Sequence, residues 1–245
     1  MDSQAGRVED LEDDLLERIL ILLEFVTQSR DLCALASCSK SLWKIGCRDG
    51  IWASVFKRRW PAAIPYKQPH EDWRTSYAHR HLEMASLAGA VIEFVRMYAC
   101  EESLEVANYL NALDLLCVRD IGFQDVLINL FSPALSVLVN LIGLHYSLVH
   151  LKIQDDAVRD ALVGRKISDR HICFRWWSMG VWSNGFRRRD EMHMKIASLY
   201  ELTEPRQRFL FKVMERGTVH EVLRVQISAD FKSSAWVWRD MHSQR

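Results

Sequence analysis

The stretch LEDDLLERILILLEF, residues 11 to 25, decides how the start of this chain folds. Its apolar residues recur at helical spacing, and its first turns are acidic, which suits the positive end of a helix dipole. Asp10 is placed to cap this helix. A helix this short and apolar is marginal alone in water. Its apolar side must therefore pack on the core of this chain or on another protein.

Two more helices are predicted before residue 62. The segment LCALASCSKSLWKIG, residues 32 to 46, has one apolar side, formed by Leu32, Leu35, Ala36 and Leu42. The next helix begins at Asp49 and stops at Pro61, with Ile51, Trp52, Val55 and Phe56 on one face. Three short helices enclose little apolar area, so we expect something else to cover the first one.

Composition places the chain among soluble globular proteins. Hydrophobic residues make up 49% and charged residues 26% of its 245 residues. The formal net charge is zero, so no overall basic field attracts nucleic acid or an anionic membrane. We therefore expect neither nucleic acid nor a membrane as a partner.

The cysteines and the termini indicate an intracellular protein. The six cysteines are sparse and form no CxxC pair, which favours reduced thiols and excludes a typical zinc site. The start, MDSQAGRVED, is unlike a secretory signal. The most apolar region, residues 126 to 151, is interrupted by polar residues and Pro133, which predicts a buried helical pair rather than a membrane span. We expect a cytoplasmic or nuclear location, without metal or cofactor.

The rest of the chain is predicted to be helical and then mixed. An irregular link, PAAIPYKQPH, precedes stacked short helices, among them EDWRTSYAHRHLEMASLAG, AVIEFVRMYA, SLEVANYLNALDLLCV and DDAVRDALVG. After Gly164, HICFRWW and VHEVLRVQI have strand character, and a helix is expected near RQRFLFKVMER. The predicted fold class is mainly α, with a unit at residues 8–61, a helical region at 70–164 and a small α+β part at 165–245.

Taken together, the first three helices and the following DWRTSYAHRH resemble an F-box and its short helical extension. The family pattern has a Leu-Pro pair, a Leu-rich helix, an aspartate before a second Leu-rich helix, a Cys-Lys-Arg-Trp stretch and a Leu-Trp pair. This chain matches it with Leu11, the leucines after it, Asp31, Lys40 and the Ile51–Trp52 pair. The block FRWWSMGVWSNGFRRRDEMH is also similar to the C-terminal part of some plant F-box proteins.

The chain departs from the family pattern at Glu12, which replaces the proline, and at Ser39, Ser41 and Leu42; Trp43 falls one position past the family tryptophan. The resemblance implies that the unit docks on a Skp-type linker subunit, which tethers it to a cullin, while the rest of the chain holds a target protein for ubiquitination. The residues implied in linker binding are Leu11, Leu15, Leu16, Ile19, Leu20, Leu23, Leu32, Leu35, Lys40 and Trp52. The apolar members of this set serve either the linker or the core of the unit itself.

A search for catalytic groups favours a non-enzymatic protein. His79 and His81 alternate across a predicted helix, and His145 and His150 miss the i, i+4 spacing of a helical zinc pair. No nucleophile elbow, dinucleotide-binding or phosphate-binding glycine motif occurs in the sequence. We therefore expect no catalytic residues in this chain.

The most unusual composition is RWWSMGVWSNGFRRR, residues 175 to 189. Tryptophan and arginine are enriched at binding hot spots, which makes this segment the candidate for target binding. Its candidate residues are Arg175, Trp177, Trp182, Arg187 and Arg189. One alternative is a small tryptophan-rich core with arginines stacked on its edges. Another is an enzyme or nucleic-acid binder with a pocket lined by His171, Arg175, Trp177 and His193, and a third is a scaffold protein whose F-box-like unit belongs to its own core.

Overall fold

The computed structural model describes residues 15, 18, 33–34, 37–66, 70–118, 121–178, 180, 182–183, 186–187, 190–216 and 222–229. The protein is mostly helical and has a small four-stranded antiparallel sheet, which confirms the predicted class in its coarse form. The chain divides into two compact units, Met1–Glu83 and Met84–Arg245. The limits predicted for the regions 8–61, 70–164 and 165–245 stay predictions.

Two short helices form the described start of the first unit. Helix α1 spans Lys40–Gly46, and its cap residue Ser39 accepts a hydrogen bond from the Leu42 amide at 3.2 Å. The predicted continuous helix over residues 32 to 46 is therefore wrong. The Ser37 hydroxyl donates to the Cys33 carbonyl, and the chain turns at residues 37–38 before α1 begins. Serine competes for backbone hydrogen bonds in this way and favours helix starts over helix interiors.

Helix α2 spans Asp49–Arg59 and confirms the prediction made for this segment. Its buried face consists of Ile51, Trp52, Val55 and Phe56. Asp49 lies in its first turn, while Lys57, Arg58 and Arg59 lie in its last. These charges suit the two ends of the helix dipole, and Pro61 prevents the helix from continuing.

The segment after α2 differs from prediction in two places. Pro61–Tyr66 forms a 3₁₀ helix rather than an irregular link, which is possible because proline is compatible with a first helical turn. The two helices predicted around Gly89 are one, α3, which spans Trp73–Tyr98. Residues 73–83 of α3 belong to the first unit and residues 84–98 to the second. Gly89 does not break α3, since a single glycine costs a helix only about 1 kcal/mol.

Besides residues 84–98 of α3, the α-helices in the described part of the second unit are α4 (Val106–Cys117), α5 (Phe123–Asn129), α6 (Val137–His145), α7 (Asp155–Gly164) and α8 (Phe209–Arg216). Two short 3₁₀ helices, Glu201–Thr203 and Pro205–Gln207, precede α8. Helices α5 and α6 are the predicted pair around Pro133, and every residue of α6 is buried. A π-helical turn, Tyr146–His150, follows α6 directly. Helix α8 confirms the helix predicted near RQRFLFKVMER.

The four-stranded sheet lies in the second unit. Its strands are β1 (Ser103–Glu105), β2 (His171–Ser178), β5 (Glu191–Ser198) and β6 (Val222–Ser228), in the order β1, β6, β2, β5. The short strands β3 (Trp182–Ser183) and β4 (Phe186–Arg187) pair separately. Strands β2 and β6 confirm the strand prediction after Gly164. The prediction that residues 103–105 begin a helix is wrong, because these residues form strand β1.

One face of the sheet contributes to the core of the second unit. Opposite residues in the register lie on the same face, so Phe174, Ile227 and Leu104 share one side across β2, β6 and β1. These three side chains are at most 1% exposed. The other face carries Cys173, Arg175 and Trp177 of β2, because side chains alternate along a strand.

Within the described part of the chain, every helix is too short or too polar to cross a membrane.

Candidate functional site

The first candidate surface is built on α1 and α2. Trp52 lies in the core of the first unit: it is 5% exposed, its indole N–H donates to the Gly46 carbonyl at 2.9 Å, and its ring centroid lies 5.1 Å from that of Tyr77. Trp52 is therefore part of the described core of the first unit, and its assignment to linker binding stays a prediction.

Arginine and aromatic residues hold α2 against the start of α3. The Arg59 guanidinium lies over the ring of Trp60 at 4.5 Å, donates to the Tyr77 hydroxyl and lies 3.3 Å from His81 Nδ1. The Asp49 carboxylate accepts a hydrogen bond from the Trp73 amide at 2.6 Å. These contacts join α2 to the start of α3 within the first unit.

The outer side of α1 presents a large aromatic residue to solvent. Trp43 is 58% exposed, although its neighbour in the chain, Leu42, is 8% exposed. Beside Trp43 lies a shallow depression of about 370 Å³, which is also lined by Ser37, Cys38, Ser39 and Lys40. An exposed tryptophan beside a depression is typical of protein interfaces, where tryptophan is enriched. Lys40 lines this depression, and its role in linker binding stays a prediction.

Leu15 is helical and 48% exposed. The other apolar residues of the predicted linker-binding set in residues 11 to 35 lie outside the described residues: Leu11, Leu16, Ile19, Leu20, Leu23, Leu32 and Leu35. Glu12, the main departure from the family pattern, lies outside them as well. The described residues of the predicted set are therefore Leu15, Lys40 and Trp52, and Trp43 lines the same depression as Lys40.

The second candidate surface is the outer face of β2. Arg175 and Trp177 lie on the same face, two residues apart, and their partners in β6 are Gln226 and Arg224. Arg175 is 8% exposed, and the guanidinium of Arg224 lies 5.4 Å from the centroid of the Trp177 ring. Arg224 also forms an ion pair with Glu105 of β1, which raises the pKa of the arginine. An arginine stacked on a tryptophan is the contact expected in the alternative of a small tryptophan-rich core. The arginine here is Arg224 of β6 rather than one from residues 175 to 189.

Two of the remaining target-binding candidates, Trp182 and Arg187, lie on β3 and β4. Trp182 and Arg187 are directly opposite each other in this two-stranded pairing. Arg189 lies outside the described residues. The structure thus groups the candidates as Arg175 with Trp177 and as Trp182 with Arg187.

The pocket considered for an enzyme or nucleic-acid binder does not form as predicted. His193 is opposite Trp176 in the register and stacks on it, with ring centroids 5.3 Å apart. Trp176 and Trp177 are neighbours in a strand and point to opposite faces. His193 and Trp177 therefore cannot line one pocket. Among the described residues, no cluster of three or more His, Cys, Asp or Glu side chains is arranged to bind a metal ion.

Sequence analysis missed a buried cluster around His145. The helix continues from α6 as a π turn, which gives His145 and His150 a ring separation of 6.0 Å despite their i, i+5 spacing. The Tyr109 hydroxyl lies 2.9 Å from His145 Nδ1, and Glu215 Oε1 lies 3.6 Å from His145 Nε2. The signal in the sequence was histidine within an almost wholly apolar helix.

Burial and charge set the protonation of this cluster. Burial lowers the pKa of His145, while the neighbouring Glu215 carboxylate opposes that shift. The contact with His145 lowers the pKa of Glu215. Burial raises the pKa of Tyr109 well above its usual value, so its hydroxyl keeps its proton. The cluster is a polar contact inside the core, and it leaves His145 neutral in the folded protein near pH 7.

No protein-family model, curated protein or solved structure matches this chain.

Proposed function

We propose that this protein is the substrate-recognition subunit of a Skp–cullin–F-box ubiquitin ligase. In this proposal, the unit at residues 8–61 binds the Skp-type linker subunit, and the linker tethers it to a cullin. The C-terminal region, residues 165–245, holds the target protein. The chain itself carries out no chemistry, and it works in the cytoplasm or the nucleus.

The exposure of two apolar residues of the first unit, Leu15 and Trp43, carries this proposal. The described core of the first unit already encloses Ile51, Val55 and Phe56, whereas Leu15 and Trp43 remain about half exposed. Covering apolar area yields about 25 cal/mol per Å², so a partner that seals both residues gains several kcal/mol. A docked linker subunit, itself helical in the family that the sequence resembles, supplies such a cover.

The target-binding part of the proposal rests on Trp177, with Arg175, Trp182, Arg187 and Arg189 near it in sequence. Arg175 is 8% exposed, so it is too buried to be a main contact with the target. Trp177 is partly exposed, and its ring is held by Arg224. A rigid aromatic ring with a cation beside it is the kind of anchor that interfaces use, because little conformational entropy is lost on binding.

A non-catalytic scaffold is the second candidate, and the burial of Trp52 favours it. If the whole F-box-like unit is only a structural part of this chain, its residues serve the core as Trp52 does. Such a protein would not bind a linker subunit at all.

Capture of the linker subunit by the intact chain separates these two functions. We expect the purified wild-type chain to retain a Skp-type linker subunit, and Leu15→Asp, Leu16→Asp or Leu20→Asp to prevent retention by burying an unpaired charge. Val163→Asp is the matched control, since Val163 is 55% exposed on α7 of the second unit. Equal retention by all variants, or none by the wild type, would reject the ligase role.

A further inference from the structure

Among the described strands, β5 is the long edge strand of the four-stranded sheet. It lies at the end of the strand order β1, β6, β2, β5, and β2 is its one neighbour among the described strands. The opposite edge, β1, has only three residues, whereas β5 has eight. Proteins usually protect a sheet edge by keeping it short, charged or covered, because its free N–H and C=O groups pair readily with another strand.

One side of β5 is apolar and exposed. Met192, Met194 and Ile196 alternate along the strand and so share one face, and they are 48%, 43% and 40% exposed. Three exposed apolar side chains on an open edge favour pairing with another strand, because pairing satisfies the backbone and covers these side chains together.

The sequence of β5 is complementary to itself when it is reversed. In the run Glu191-Met192-His193-Met194-Lys195, an antiparallel pairing centred on His193 places Glu191 opposite Lys195 of a second copy. The same pairing places Met192 opposite Met194. It forms two ion pairs and two methionine pairs at once, by symmetry.

The neighbouring register lacks this complementarity. A pairing centred on Met194 would place Glu191 opposite Ala197 and His193 opposite Lys195. Both ion pairs would then be lost. Cross-strand pairs of opposite charge stabilise a sheet and like charges destabilise it, so the charges of β5 select one register.

We propose that a second copy of this chain docks on β5, with the two β5 strands antiparallel and centred on His193. The two sheets then join into one antiparallel sheet of eight strands, with β5 and its copy at the centre. The methionines of the two copies cover one another on one face, while the pairs of Glu191 with Lys195 lie on the opposite face, toward which His193 points. This dimer is independent of the proposed linker binding, since it uses residues of the second unit alone. It lies beside the proposed target-binding residue Trp177, which is opposite Met192 in the sheet.

Charge reversal tests the dimer through its symmetry. In sedimentation equilibrium of the full chain, we expect the wild type to dimerise and Glu191→Lys or Lys195→Glu to weaken dimerisation about tenfold or more, because each variant turns two attractive pairs into repulsive ones. The double variant Glu191→Lys/Lys195→Glu restores the dimer. A mixture of the two single variants forms a heterodimer that is tighter than either homodimer.

Asp114→Lys is the matched control, since Asp114 is exposed on α4 and carries the same charge as Glu191. This variant keeps the wild-type dissociation constant. Circular dichroism confirms that each variant folds, which is expected because Glu191 and Lys195 are exposed. A wild type that stays monomeric at all concentrations, a dimer insensitive to the single reversals, or a double variant that fails to restore it would each overturn the proposal.

Discussion

The two compact units of this protein build their cores from different side chains. In the first unit, aromatic rings pack together: Trp52 and Phe56 of α2, Trp60 just after α2, and Tyr77 of α3. The Arg59 guanidinium lies over the rings of Trp60 and Tyr77. In the second unit, aliphatic residues dominate, and α6 is buried along its whole length. Within the described residues, the core of the first unit thus relies on a few large side chains, while that of the second relies on many smaller ones and on a few buried polar contacts.

The two units are therefore expected to lose stability through different kinds of substitution. Removing one large ring from a small aromatic core leaves a cavity that its few neighbours cannot fill. In the second unit, the sensitive points are the polar groups that the aliphatic core encloses, since an unpaired buried polar group is costly.

The largest effect is expected in the first unit, at Trp52. Trp52→Ala removes a buried ring and the hydrogen bond to Gly46, so we expect it to lower the free energy of unfolding by about 3–5 kcal/mol. Trp43→Ala makes the same change at a residue that is 58% exposed, and we expect an effect within about 0.5 kcal/mol. Denaturation in urea measures both. Equal effects would show that the described core does not depend on Trp52.

A somewhat smaller effect is expected in the second unit, at Asn140. Its fully buried side chain donates to the Leu130 carbonyl at 2.6 Å and accepts from Arg170 at 2.5 Å. Asn140→Leu leaves these partners unsatisfied, so we expect a loss of about 2–4 kcal/mol. Asn111→Leu is the control, because Asn111 is exposed on α4. A loss as small as that of the control, measured by urea denaturation, would contradict this account of the buried contact.

The smallest effect is a pH dependence that arises at His145. Its folded pKa lies below the usual imidazole value of about 6.5, so protons bind the unfolded chain more readily than the folded one. The stability that neutral His145 contributes is therefore fully present above the usual imidazole pKa of about 6.5, and it is lost as the pH falls below that value toward the folded pKa. The lowered pKa of Glu215 acts in the same direction at more acidic pH.

We therefore expect the free energy of unfolding to fall by about 1 kcal/mol between pH 7 and pH 5.5, and His145→Gln to remove most of this slope. Urea denaturation at several pH values measures it. His171→Gln, at an exposed position of β2, should leave the slope unchanged. If His145→Gln keeps the full slope, other groups produce the pH dependence.

Sequence patterns predicted the helices whose ends carry strong local signals. Helix α2 was found because Asp49 and Pro61 flank an apolar face, and α7 because two acidic residues begin it. The patterns failed where tertiary contacts outweigh local preference. Gly89 signalled a break, but α3 continues through it, and Ser103–Glu105 joined a sheet whose other strands lie far along the chain.

The candidate sites were predictable to a similar extent. The pairing of Arg175 with Trp177 follows from strand alternation, which sequence shows directly. The stacking of Arg224 on Trp177 and the contact between His145 and His150 depend on strand register and on a π turn, and neither can be derived from local spacing. The F-box resemblance selected Trp52, which is buried, and passed over Trp43, which is 58% exposed.

In the proposed ligase, Trp43 and the helix predicted at residues 11–25 form the surface that binds the Skp-type linker subunit. The most direct test is the dissociation constant of the purified full chain with that subunit, measured for the wild type, Trp43→Ala and Asn111→Leu. We predict that the wild type and Asn111→Leu bind equally and that Trp43→Ala, which keeps its fold, binds about tenfold or more weakly. Equal binding by all three proteins, or no binding by the wild type, would contradict the claim.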